Sequence, residues 1–443
     1  MLLRPFALFA LTVAALPLAA QNTPDLAASA QAQLPVLTET YKHLHENPEL
    51  SGHEVQTAAY VAADLKKLGY TVTEHVGKYA DGTQAEGVVA ILKNGAGPTL
   101  LLRTELDALP VEEKTGLNYA SHVKSTNAQG QAVGVMHACG HDLHMTVMLG
   151  VAKELMERKG QWHGTVMIIG QPAEETIGGA EAMLRDHLYE RFGRPDFIIS
   201  EHDSNAGAAG TIGIKGGPLL ASATTLTVTM RGIGGHGSAP QAGKDPIVLA
   251  AEFVLVAQTI VSRQIDPQEP AVLTVGTIHG GTKNNIIPDE VTMGLTLRTY
   301  SMAVRDQIIE AVKREAKGLA EGYGVPSERM PTVTVSESTP ATWNDPALAE
   351  RVKAIAVATL GKDRVADAQA IMASEDVGLF TLDGKIPGTM YWLGAAEPGK
   401  LAESRKTGVP LPSPHSALFA PDYAPAITTG VTTMSAVAMD LLK

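Results

Sequence analysis

The chain has 443 residues with formal net charge -12 and pI about 5.6, and 44% of its residues are hydrophobic. That length exceeds one ordinary hydrophobic core, so two domains are expected, and the composition is that of a globular protein rather than a disordered one. An acidic chain without Lys/Arg runs lacks the clustered positive charge that phosphate contact needs, which excludes nucleic acid as a partner.

In chain order, the first twenty residues stand apart. Arg4 precedes an apolar run from Phe6 to Leu16, and Pro17-Leu18-Ala19-Ala20 offers a small residue for cleavage before Gln21. This predicts a signal peptide over 1–20 and an exported chain, periplasmic or secreted. The apolar run is too short to span a bilayer, and no later segment is expected to do so, so the mature chain should carry no transmembrane segment. The sole cysteine, Cys139, leaves an exported protein without an internal disulfide.

Helical periodicity runs through 25–69: Leu34, Leu37, Tyr41 and Leu44, then Ala59, Val61, Leu65 and Leu68, with Gly69 as a stop. Short apolar runs at 87–92, 99–103, 165–170 and 196–200 read as strands, with a helix over 145–158 between them. Alternating strands and helices predict an α/β catalytic domain with a mostly parallel central sheet flanked by helices. The pattern changes near Gly216-Gly217-Pro218. Strands over 224–231, 271–279, 291–300 and 332–336, and helices over 245–263 and 303–323, spell βαββαβ, a ferredoxin-like unit. The expected division is 21–218 and 339–443 for the large domain, with 219–338 inserted.

His137, Cys139, His141 and His144 fall within eight residues. Imidazole and thiolate suit zinc and its neighbours, and the only cysteine lying among them points to a metal rather than to chance. Residues i and i+2 of extended chain face one way, so Cys139 and His141 are expected to share a target, and a following helix N-terminus would favour the thiolate. Glu174 and Glu175 follow an apolar strand, where open α/β sheets place their ligands. One carboxylate could bind metal while its neighbour serves as a base. An ordinary acidic helix start gives the same pattern. Glu201-His202 follows another apolar run. Asp107 either orients a histidine from behind or is a turn acid before proline. His415, in a proline-rich loop, carries almost no signal alone.

Seven stretches in order resemble the aminoacylase and carboxypeptidase family of two-metal amidohydrolases: HENPEL (45–50), ELDALPVE (105–112), MHACGHDLH (136–144), QPAEE (171–175), GGHGSAP (234–240), NIIPD (285–289) and SED (374–376). The branch most similar to it contains hippurate hydrolases, N-acetyl-amino-acid deacetylases and plant auxin-conjugate hydrolases. The resemblance implies hydrolysis of an N-acyl amino acid or short peptide with two divalent metal ions (Zn, Mn, Ni or Co). It implies Cys139 as bridging thiolate, His141, Glu175, His202 and His415 as further ligands, Glu174 as general base and Asp107 as a supporting acid. The inserted unit would be a lid and dimerisation domain of a homodimer. His236 would reach the partner's site to stabilise the tetrahedral intermediate, and Asn285 and Arg298 would hold substrate. A dipeptidase or carboxypeptidase of the same family, or an exported binding protein without catalysis, are the competing readings. The chain departs from the branch at Glu105, usually Asp, at Leu143, expected to narrow the pocket, over 203–207, and at Gln241.

Overall fold

In a computed structural model of the chain, residues 23–443 are described; the expected signal peptide lies outside them. An eight-stranded sheet forms the larger layer. Its order is Thr71–Lys78, Gln84–Asn94, Gly164–Gln171, Thr99–Glu105, Phe197–Ala208, Gly388–Ala396, Ile212–Ile214 and Val365–Asp367. The four middle strands are parallel to one another, while Thr71–Lys78 and Gln84–Asn94 form an antiparallel margin. Thr99–Glu105 shows why the centre reads as unbroken apolar sequence: Leu100, Leu101 and Leu102 are all fully buried, as strands covered on both faces require. Helices Thr23–Glu46, His141–Glu157 and Tyr423–Leu441 pack together and supply much of the core on one face.

A second, four-stranded antiparallel sheet has the order Ala271–Gly280, Glu290–Thr299, Ala223–Arg231 and Thr332–Thr339. Helices Pro246–Gln264 and Met302–Gly322 complete βαββαβ and share a separate apolar core with it. Glu290–Thr299 buries Val291, Met293, Leu295 and Leu297 in strict alternation, the pattern of a sheet covered on one face.

Three expectations need correction. Glu201 and His202 do not end a strand, because Phe197–Ala208 continues six residues past His202. Its polar continuation pairs with Gly388–Ala396, so backbone pairing and not apolar content extends it. Leu143 is fully buried in the core beneath its helix and does not narrow the pocket. Finally, Pro246–Gln264 is long and apolar enough to cross a membrane by length and composition, with mean hydropathy 1.5. Its Leu249, Ala250, Phe253, Ala257 and Ile260 are buried against the small unit, as in a packed helix.

Candidate metal centre

The centre lies where several chain segments leave the large sheet. Cys139 sits in a turn, and His141 opens the helix His141–Glu157. They converge through Gly140, held at φ 77°, and not along extended chain as expected. A Cβ on Gly140 would strike the Asp203 carboxylate, so this left-handed turn needs glycine. Glu174 and Glu175 follow Gly164–Gln171, after Ala173 at φ 48°. His415 takes φ 69°, and its N–H donates to the Ala138 carbonyl at 2.7 Å. Left-handed conformations of non-glycine residues cost about 1–3 kcal/mol each and gather at functional sites.

These turns bring five expected ligands together. Cys139 Sγ lies 3.5 Å from His202 Nε2. His415 Nε2 is 3.4 Å from Glu175 Oε2, and His141 Nε2 is 4.0 Å from Glu175 Oε1. The groups Cys139/His141/His202 and Cys139/Glu175/His415 each gather their ligand atoms within 4.8 Å. Both inner histidines are oriented alike: Nδ1 of His141 donates to the Asp107 carbonyl and Nδ1 of His202 to the Asp203 carbonyl, each at 2.8 Å. Each ring thus turns Nε2 toward the cluster, the arrangement that supports a metal-binding imidazole.

The donor set fits cations. His141 Nε2 and Glu175 Oε1 are buried without a hydrogen-bond partner, which would be costly unless something else satisfies them. Burial and the carboxylates of Glu175 and Glu174 push the Cys139 thiol well up. The helix N-terminus alone therefore does not yield the expected thiolate; a cation would. Burial depresses His141, but the Asp107 bond and the charge of Glu105 outweigh it and raise the ring to about 9. Burial lowers His202 and His415. It pushes Glu175 up to about 7, and burial with the charges of Glu375 and Glu175 raises Glu174 well above the carboxylate range. Positive charge at this point relieves both raised carboxyls, Glu174 and Glu175.

Glu174 is buried, with Oε2 3.8 Å from His141 Nε2. Asp107 supports from behind. Its Oδ2 accepts from Ser51 Oγ at 2.7 Å and from the Glu175 N–H at 3.0 Å, and its Oδ1 lies 3.4 Å from His141 Nδ1.

The other two clustered histidines differ from the ligand set and from each other. His144 Nδ1 meets Glu105 at 2.9 Å and Nε2 meets Asp203 at 3.2 Å. His137 is buried with neither ring nitrogen partnered, and burial lowers it to about 4.

A cavity of about 940 Å³ opens from the centre, and Arg298 lines it beside Ser374. His236 and Asn285 do not line it. His236 ends the segment Gly235–His236, which pairs with Ile286–Ile287, and Asn285 immediately precedes the latter; both are exposed to solvent on the small unit.

Sequence reasoning missed what holds the floor. Arg103, fully buried, ion-pairs with Glu105, donates to Gln171 Oε1 at 2.9 Å, and reaches Glu375 at 2.6 Å and Asp376 at 3.2 Å. The longer Glu105 thereby spans from Arg103 to His144. The departure at 203–207 supplies Asp203 behind His144 and lines the cavity with the rest.

Residues 101–409 match Peptidase family M20/M25/M40. The chain belongs to that family. It is 37% identical over 339 residues to the hippurate hydrolase of Campylobacter jejuni, covering 76% of this chain and 82% of that one. It is 35% identical over 356 residues to an N-acetyl-L-cysteine deacetylase of Bacillus subtilis, covering 80% and 79%. A dinuclear metal-binding M20 peptidase from Bacillus subtilis has a similar structure, with TM-score 0.74 and 29% identity over 93% of this chain and 99% of that one. This M20 chain is a metal-dependent amidohydrolase, and divalent metal ions are its cofactors.

Proposed function

We propose that the chain hydrolyses the amide bond of N-acyl amino acids, with Cys139, His141, Glu175, His202 and His415 holding two divalent cations. The observation that carries this reading is the convergence of those five donors, two with unpartnered buried atoms, beside a spare carboxylate. Such ions would act as Lewis acids toward water and the amide carbonyl. Glu174, with Oε2 3.8 Å from His141 Nε2, accepts a proton from the attacking water and returns it to the leaving amine. Arg298 takes the free carboxylate of the amino acid. Asp107 keeps the His141 ring and the Glu175 backbone in place.

His236 and Asn285, exposed on the small unit, act in a homodimer, each reaching the other subunit's site. The exposed apolar side chains Ile247, Val248 and Leu255 of Pro246–Gln264 support such an association. The chain divides at about 218 and 338 into a catalytic unit and this lid. Export to the periplasm or outside the cell rests on the pattern of Arg4, Phe6–Leu16 and Pro17–Ala20.

A panel of N-benzoyl amino acids, N-acetyl amino acids and dipeptides, assayed with manganese, zinc or cobalt and with EDTA as control, tests the reading. Cation-dependent hydrolysis of the N-acyl amino acids is expected. Turnover confined to dipeptides, or unaffected by EDTA, would overturn it.

A further inference from the structure

Cys139, Glu175, His202 and His415 line the cavity of about 940 Å³. Pockets of roughly 300–1,000 Å³ hold drug-sized ligands, so an acetyl group would leave most of this space to water. Strand register builds the floor beyond the ligands. His202 pairs with Trp392, Trp392 with Gly213, and Gly213 with Ala366. Residues directly opposite across strands share a face, and all four line the cavity. The row therefore passes from ligand to indole to a residue with no side chain to a methyl group.

Trp392 stands edge-on to the His202 ring, with centroids 5.7 Å apart and planes at 71°. A Cβ built on Gly213 would lie 3.5 Å from Trp392 Cβ and 3.8 Å from Ala368 Cβ. Any larger side chain there would fill the space beside the indole. Leu220 and Ile371, joined by an isolated bridge, add apolar surface to the same cavity.

We propose that Trp392 is a specificity-determining residue, its indole and the bare strand at Gly213 forming a flat shelf for an aromatic acyl group. Planar rings gain offset or edge-to-face contacts from such a surface. A flexible aliphatic chain gains area alone. The inference rests on the N-acyl-amino-acid reading and narrows it to N-aroyl substrates.

The test compares kcat/KM for N-benzoylglycine, N-acetylglycine and N-octanoylglycine on metal-loaded wild type, Trp392→Ala and Gly213→Val. Wild type should favour the benzoyl substrate over both others. The benzoyl-to-acetyl ratio should fall about tenfold in each variant, the usual scale for losing one apolar pocket contact. Metal content at the wild-type level in both variants places the effect on the shelf and not on His202. An unchanged ratio in both variants, or a wild-type preference for acetyl or octanoyl, overturns the shelf while leaving N-acyl hydrolysis intact. Hydrolysis of none of the three would overturn the N-acyl reading, and the shelf with it.

Discussion

The metal centre and the His236–Asn285 pair are both built on turns, yet they are finished to different degrees. At the centre each ring is fixed twice over: His141 by the Asp107 carbonyl and carboxylate, His202 by Asp203, with Arg103 tying the strand end beneath. His236 is exposed, and its Nδ1 is engaged by Ser238, whose hydroxyl lies 2.8 Å away. Nε2 is left available. A buried, pre-oriented cluster can hold its ligand atoms in place with what one chain supplies. An exposed histidine on a separate unit gains a catalytic environment only by meeting another surface.

The largest effect should come from within the finished region. Glu174→Gln keeps shape and removes the base, so kcat should fall by about a hundred- to ten-thousand-fold while elemental analysis shows unchanged metal content. Wild-type kcat in this variant would remove Glu174 from its role.

The unfinished region gives the next test. Loss of an oxyanion-stabilising donor costs about a hundred- to a thousandfold, and His236→Ala should fall in that range. Mixed dimers of His236→Ala and Glu174→Gln should recover activity that neither has alone, because one composite site is then intact. No recovery on subunit exchange would place His236 outside the partner's site.

A smaller effect lies behind the centre. His45 Nδ1 meets Asp142 at 2.7 Å and Nε2 meets Glu113 at 3.1 Å, all buried. Burial alone would lower this ring, but both hydrogen bonds outweigh it and raise it to about 10. A raised histidine stabilises fully below its unfolded value near 6.5 and ceases to as pH climbs through the folded value. Unfolding free energy should therefore drop between pH 6.5 and 10 in wild type. His45→Ala should be about 3 kcal/mol less stable at pH 6.5 and show a shallower decline. Parallel pH profiles for the two would break the assignment.

Much of this was legible because local pattern and final role coincide. The alternation of apolar runs and helices marks the sheet, and Cys139 among histidines marks the ligand turn. What was not legible depends on pairing between distant segments. Strands Ile212–Ile214 and Val365–Asp367 have three residues each, too few for a periodic signal. The polar half of Phe197–Ala208 is a strand only because Gly388–Ala396 runs beside it. Arg103 meets Glu375 across 272 residues of chain, and Trp392 enters the cavity floor by register alone. The left-handed Gly140 was visible as a glycine, but its need became clear only with Asp203 against it.

The central claim is that five side chains hold two cations. Anomalous diffraction from crystals of the manganese- or zinc-loaded protein, wild type and Cys139→Ala, tests it most directly. Two peaks among Cys139, His141, Glu175, His202 and His415 are expected in the wild type, with at least one weakened in the variant. Peaks elsewhere, or an undiminished pair without the thiol, would contradict the account.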